Sequence, residues 1–113
     1  MQSLCVHSIN NSQHCTMITT LVQFKLSEPI TQKQAEYLFE TKAPHFQQIA
    51  GLVRKYFLLA QDGEVAGGFY VWKSQENAVR FYNNDFIQSI VEQFGYQPSI
   101  TYFESPVIVD NAS

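Results

Sequence analysis

Lys55 and Tyr70 are the residues of this 113-residue chain whose types and placement best suit proton transfer. Within Gly51 to Ser74, two runs rich in aromatic and β-branched residues flank Asp62-Gly63, a two-residue hairpin signal in which both turn residues accept positive φ. Counting outward from that turn sets Gln61 opposite Glu64, Leu58 opposite Gly67, Phe57 opposite Gly68, Tyr56 opposite Phe69, Lys55 opposite Tyr70, Arg54 opposite Val71 and Val53 opposite Trp72. Burial among aromatic rings disfavours a charged amine and lowers its pKa, while a cation beside a tyrosine favours the tyrosinate. Such a pair can pass a proton or stabilise an oxyanion on a bound molecule. It can equally be a cross-strand contact lining a dimer seam, with Lys55 reaching a carboxylate such as Glu104.

Side chains alternate along a strand, so the hairpin sorts into two faces. Val53, Lys55, Phe57, Gly68, Tyr70 and Trp72 share one, which reads as the candidate pocket. Leu52, Tyr56, Leu58, Phe69 and Val71 share the other, with Arg54 as its one charge; this face is expected to pack on helices. Gly67-Gly68 inside a strand marks a bulge or a close approach to the backbone, by a ligand or by another segment of protein. Phe24 and Tyr102 are further candidate walls. Tyr102 and Glu104 lie on one side of their strand and Phe103 on the other, and the register of that strand decides which side reaches the pocket.

The elements that must position these residues follow from local signals. Residues 17 to 26 alternate as a strand closed by Pro29. Thr31 and Gln34 form a capping box for a helix whose Ala35, Leu38 and Phe39 share a face. That helix is expected to break before Pro44, which then opens a short second piece turning Phe46, Ile49 and Ala50 inward. His45, at that helix start, reads as a surface or capping residue. Ser74 caps a second helical region that Asn83-Asn84-Asp85 interrupts and restarts, with Gly95 as its stop. A last strand runs from about Ser99, kinks at Ser105-Pro106 and resumes as Val107 to Val109.

The resulting order, β, α, β, β, α, β, is the ferredoxin-like α+β pattern: one antiparallel four-stranded sheet with its helices on one face. The opposite face then exposes Phe57, Tyr70 and Trp72, more apolar surface than a monomer tolerates. Packing two open faces together around a shared cavity resolves this, so a homodimer is expected, with Val107 to Val109 able to add to the partner's sheet.

Composition bounds the function. The chain is 45% hydrophobic with a net charge of −3, enough for a single core. Its cations are scattered, which argues against nucleic acid as a partner. No apolar run is long enough to span a bilayer and the N-terminus lacks a basic-then-apolar signal, so no membrane association is expected and a cytoplasmic location is the default. Residues 1–16 read as a polar extension ahead of a domain at 17–113, with Met17 as a plausible natural start. Cys5, His7, His14 and Cys15 within it match no familiar zinc module, so no metal is expected. No nucleophile triad, phosphate-cradling glycine loop or paired carboxylates appear, leaving hydrolase, kinase and glycosidase activities without support.

At Gly51-Leu52, Lys55 and Phe57, then Ala66-Gly67-Gly68-Phe69-Tyr70-Val71-Trp72, then Tyr102-Phe103-Glu104, the chain resembles the YdhR-like mono-oxygenases of the dimeric α/β-barrel superfamily. The resemblance covers roughly Met17 to Asp110 and departs from the family at the leader and at Arg54. It implies a dimer with a cavity in each half and cofactor-independent mono-oxygenation of a small aromatic compound of phenol or quinol type. Lys55 and Tyr70 would then be the catalytic pair, with Phe24, Val53, Phe57, Gly68, Trp72 and Tyr102 forming the substrate pocket. The alternative is a non-catalytic dimeric module binding a small hydrophobic ligand in the same cavity, since fold does not fix function.

Overall fold

The computed structural model describes residues 17–111. The polar extension 1–16, with Cys5, His7, His14 and Cys15, lies outside the described residues. The elements run β1 (Met17–Lys25), α1 (Gln32–Phe46), β2 (Leu52–Leu59), β3 (Val65–Trp72), α2 (Gln75–Phe81), α3 (Asn84–Phe94) and β4 (Ser99–Ser105). The four strands form one antiparallel sheet in the order β2-β3-β1-β4, the ferredoxin-like arrangement, with the second helical region divided in two.

Local chemistry accounts for the helix ends. The Thr31 hydroxyl accepts from Gln34 N–H at 3.0 Å while Gln34 Oε1 accepts from Thr31 N–H at 2.8 Å, the reciprocal pair of a capping box. Ser74 and Asn83 cap α2 and α3 in turn, and Gly95, at φ 95°, ends α3 in the left-handed conformation. Pro44 does not break α1; the helix passes through it to Phe46. The ring removes one N–H close to the helix end, where pairing already tightens to three-residue steps, with Gln47 N–H on Pro44 O at 3.2 Å and Ile49 N–H on Phe46 O at 3.4 Å. Phe46 and Ile49 pack on the core as expected, whereas Ala50 is exposed.

The hairpin keeps the predicted register from Leu58/Gly67 through Arg54/Val71, but both of its ends differ from expectation. At the turn, Gly63 N–H donates to Ala60 O at 2.8 Å, so Gln61 and Asp62 are the central pair and Gly63 alone adopts positive φ, 77°. At the far end a bulge at Val53 lets Leu52 pair with Trp72, so the expected Val53–Trp72 pair does not form.

The two faces of the sheet are the reverse of the sequence reading. Ile18, Val22, Phe24, Ala66, Tyr70 and Trp72 lie under the helices, packed by Phe39 and Phe46 of α1, Phe81 of α2, and Phe86, Ile90 and Phe94 of α3. The face bearing Lys55, Phe57, Gly68, Tyr70 and Trp72 is therefore the helix-covered one. Arg54, Tyr56, Phe69 and Val71, with Leu21 and Phe103 by register, form the open face, where Tyr56 is 50% and Phe103 47% exposed. A lone Arg54 is unremarkable there. β4 ends at Ser105, and Val107 to Val109 continue exposed and outside regular structure rather than resuming a strand.

Candidate functional site

A cavity of about 760 Å³ lies between the sheet and the helices. Val22, Phe24, Phe57 and Tyr70 form its floor, Phe39 and Phe46 of α1 one wall, and Phe81, Phe86, Ile90 and Phe94 of the later helices the other. The rings interlock: Phe24 stacks on Phe94 at 4.5 Å between centroids, Phe39 on Phe57 at 4.9 Å, and Phe46 meets Phe57 edge-on at 5.5 Å.

Lys55 extends into this apolar setting. Its Nζ lies 3.3 Å from the centroid of Phe46, 3.9 Å from Phe57 and 4.6 Å from Tyr70, an amine enclosed by three aromatic faces. The ring quadrupoles favour the ammonium. Burial outweighs them and, helped by the like charge of Lys42, lowers the pKa to about 7. Lys55 is consequently divided between base and acid near neutral pH. Gly68 makes the pose possible, because its missing side chain is where the Lys55 stem crosses the sheet: a Cβ there would stand 2.9 Å from Lys55 Cε.

Tyr70 is only 2% exposed, and burial, reinforced by Tyr82, raises its pKa above the ordinary range. The neighbouring amine does not turn it into a tyrosinate, because desolvation of the phenolate dominates. Tyr70 is a neutral phenol, a donor rather than a base. Behind it, the Thr20 hydroxyl accepts from Trp72 Nε1–H at 3.1 Å and shares a hydrogen bond with the Tyr82 hydroxyl at 2.6 Å.

Of the residues singled out from sequence, Lys55, Tyr70, Phe24, Phe57 and Gly68 surround this one cavity. Trp72 does not line it. The indole is fully buried behind Tyr70, stacked at 5.8 Å and 6° between planes, with its N–H spent on Thr20. Tyr102 pairs with Thr20 and faces the helices, but packs edge-on against Tyr82 outside the cavity lining. Val53, displaced by the bulge, opens on a separate surface recess beside Ala43, Gln47 and Arg54.

The residues that sequence reasoning passed over are chiefly on helices. Phe39, Lys42 and Phe46 recur at three- and four-residue steps along α1, and all reach the cavity. That spacing is legible as one helix face, with a lysine in an otherwise apolar stripe as its signal. His45, expected at the surface, is exposed and also borders the cavity. Among the described residues no cluster of His, Cys, Asp or Glu has the makings of a metal site, and no helix is long and apolar enough to cross a membrane.

Solved structures share this architecture. A protein of unknown function from Nitrosomonas europaea, NE2512, superposes with a TM-score of 0.63 at 14% identity, covering 89% of this chain and 100% of its own. The ActVA-Orf6 monooxygenase of Streptomyces coelicolor, solved in complex with nanaomycin D, does so at 0.60 and 14%, covering 93% and 99%. SnoaB, a cofactor-independent oxygenase from Streptomyces nogalater, reaches 0.56 at 17%, covering 78% and 91%. At these identities the likeness is one of fold. No curated protein matches the chain. Residues 20–104 match the family described as "Putative mono-oxygenase ydhR", a span that holds β2 and β3 entire, most of β1 and β4, and every residue around the Lys55 cavity, and the chain belongs to that family.

Proposed function

We propose that the protein is a cofactor-independent mono-oxygenase that oxidises a small phenol- or quinol-type aromatic compound in the cavity between sheet and helices. The observation that carries this reading is the Lys55 amine, enclosed by Phe46, Phe57 and Tyr70 and with its pKa lowered to about 7. Neutral Lys55 takes the phenolic proton and leaves an electron-rich phenolate, the form that reacts with O2. The new ammonium then stands beside the oxyanion in a water-poor site, where its charge counts for more than in bulk solvent. Tyr70, protonated throughout, donates to oxygen developing charge, and Phe24 and Phe57 orient the ring. The reaction balances without a reductant: a phenol with a free para position and O2 give the quinone and water. One oxygen atom enters the ring, and the other leaves as water with the two hydrogens lost by the substrate.

The proposal includes a homodimer formed by the open sheet faces, a reading supported by the apolar surface of Tyr56, Phe69, Val71 and Phe103 on the side away from the helices. A Phe69→Glu variant is expected to sediment as a monomer; a dimer unchanged in mass would remove this face from the interface.

The deciding experiment incubates the protein with polycyclic phenols and quinols with and without oxygen, following O2 uptake and product mass. Oxygen-dependent quinone formation that is lost in Lys55→Met is the expected result. Turnover unchanged in that variant removes Lys55 from the mechanism, and tight binding without O2 uptake assigns the cavity to a binding module instead.

A further inference from the structure

The charge of the cavity asks for more than an aromatic ring. The chain as a whole is acidic, with a net charge of −3, yet among the described residues Lys42, Lys55 and Arg80 border this cavity against a single carboxylate, Asp85. Arg80 already has its counter-ion in Glu76, at 3.2 Å on the exposed surface of α2. Lys42 has instead a neutral acceptor: its Nζ donates to Gln93 Oε1 at 2.9 Å, bridging α1 to α3 across the cavity wall. An ammonium carries three donors, and Gln93 accepts from one of them.

Lys55 and Lys42 act on each other as like charges while both border apolar walls. Two cations in such a place repel, and the Lys55 amine loses hydration that the surrounding rings only partly replace. The Lys55 head group is enclosed by rings, but Lys42 is half-buried and stands beside exposed Gln93, where the cavity meets solvent. A bound anion there would offset the repulsion and complete the donors of Lys42.

We propose that the ligand of this cavity is an aromatic acid, whose hydroxyl faces Lys55 and whose carboxylate is held by Lys42 beside Gln93. This rests on the reading of the cavity as the substrate site. It adds a polarity to that site: the ring lies between Phe46, Phe57 and Phe94, with the ring-enclosed Lys55 amine at the inner end and the Lys42 amine beside exposed Gln93 at the outer end. Lys42 is then a specificity residue that selects among phenols without touching the oxidised carbon.

The test is equilibrium binding under anaerobic conditions, using 2-naphthol and 6-hydroxy-2-naphthoate, which share a ring system and a hydroxyl and differ in the carboxylate. The expected result is binding of the acid at least about tenfold tighter than the naphthol, as a charge-assisted hydrogen bond supplies. That preference should shrink as salt is raised. Lys42→Gln should abolish it, read as the ratio of the two affinities measured on that variant, and Lys42→Arg should keep most of it. Equal binding of the two compounds by the unaltered protein, or a preference that survives Lys42→Gln, overturns the proposal while leaving the cavity reading standing on naphthol binding. Failure of both compounds to bind overturns the two together.

Discussion

Gly68 lies directly beneath the Lys55 side chain, and a methyl group built on it would stand 2.9 Å from Lys55 Cε and 2.9 Å from Tyr70 Cε1. The glycine thus holds open the space through which the amine reaches its aromatic enclosure. Gly68→Ala should cost stability, because Tyr70 is 2% exposed and its ring is packed against Phe46, Trp72, Phe81 and Tyr82. Overpacking of this kind costs about 1–3 kcal/mol. The lysine stem is the softer partner, so it should be displaced from Phe46 and Phe57 into a wetter position, and its pKa should rise toward that of an ordinary lysine. Urea denaturation measures the first effect and NMR titration of the labelled lysine amine the second. A variant with full stability and an unmoved Lys55 titration would show that the space above Gly68 is not what positions the amine.

The lowered pKa of Lys55 also makes stability depend on pH in a definite direction. In the folded protein burial holds the amine's pKa down at about 7, against 10.5 for a free lysine side chain. Between these values the unfolded chain carries a proton that the folded chain does not, so the stability contribution of this group rises with pH across that window. It is fully present above the unfolded value and is lost as pH falls through the folded one. At roughly 1.4 kcal/mol per pH unit of displacement, the total is on the order of a few kcal/mol. Lys55→Met should flatten this rise and leave the protein at least as stable as the parent below pH 7, since an apolar side chain has no charge to desolvate. Urea midpoints measured from pH 6 to 10 for both proteins check it, and parallel curves would place the amine in a more hydrated setting.

The contrast between the predicted and observed sites has a physical origin in the hairpin. Alternation determines that Lys55, Phe57, Tyr70 and Trp72 share a face, and the pairing of Lys55 with Tyr70 follows from the turn. Neither says which face the helices cover. Both faces are largely apolar and each carries one cation, Arg54 or Lys55, so composition does not separate them. The residues that decide the matter are far away in sequence: Phe46 on α1 and Phe81 on α2 close over Tyr70. The Val53 bulge was equally illegible, because nothing about a valine announces a doubled residue, and it alone moves Val53 away from the cavity. Trp72 shows a further limit. An aromatic residue on the correct face is a wall only if nothing lies between it and the cavity, and here Tyr70 does.

Thr20 is the polar centre on which that buried layer depends. It is 0% exposed, and its one hydroxyl answers both Trp72 Nε1–H at 3.1 Å and the Tyr82 hydroxyl at 2.6 Å. Thr20→Val keeps the shape and β-branching of the side chain, so packing and strand preference change little. What changes is that the Trp72 Nε1–H donor and the Tyr82 hydroxyl both lose their buried partner, and each orphaned group costs about 1–3 kcal/mol. A loss on the order of 2–5 kcal/mol is expected, well beyond an ordinary surface substitution. Thr20→Ser, which retains the hydroxyl and removes only a methyl group, should cost about 1 kcal/mol. Because Trp72 and Tyr82 pack against Tyr70 at 5.8 and 5.4 Å, loosening them should also loosen the cavity floor, so Thr20→Val is expected to weaken aromatic ligand binding from a residue that does not line the cavity. Denaturation and binding measured on the two variants together separate the effects: a valine variant as stable as the parent, with serine the costlier change, would show that the methyl group matters and the hydrogen bonds do not.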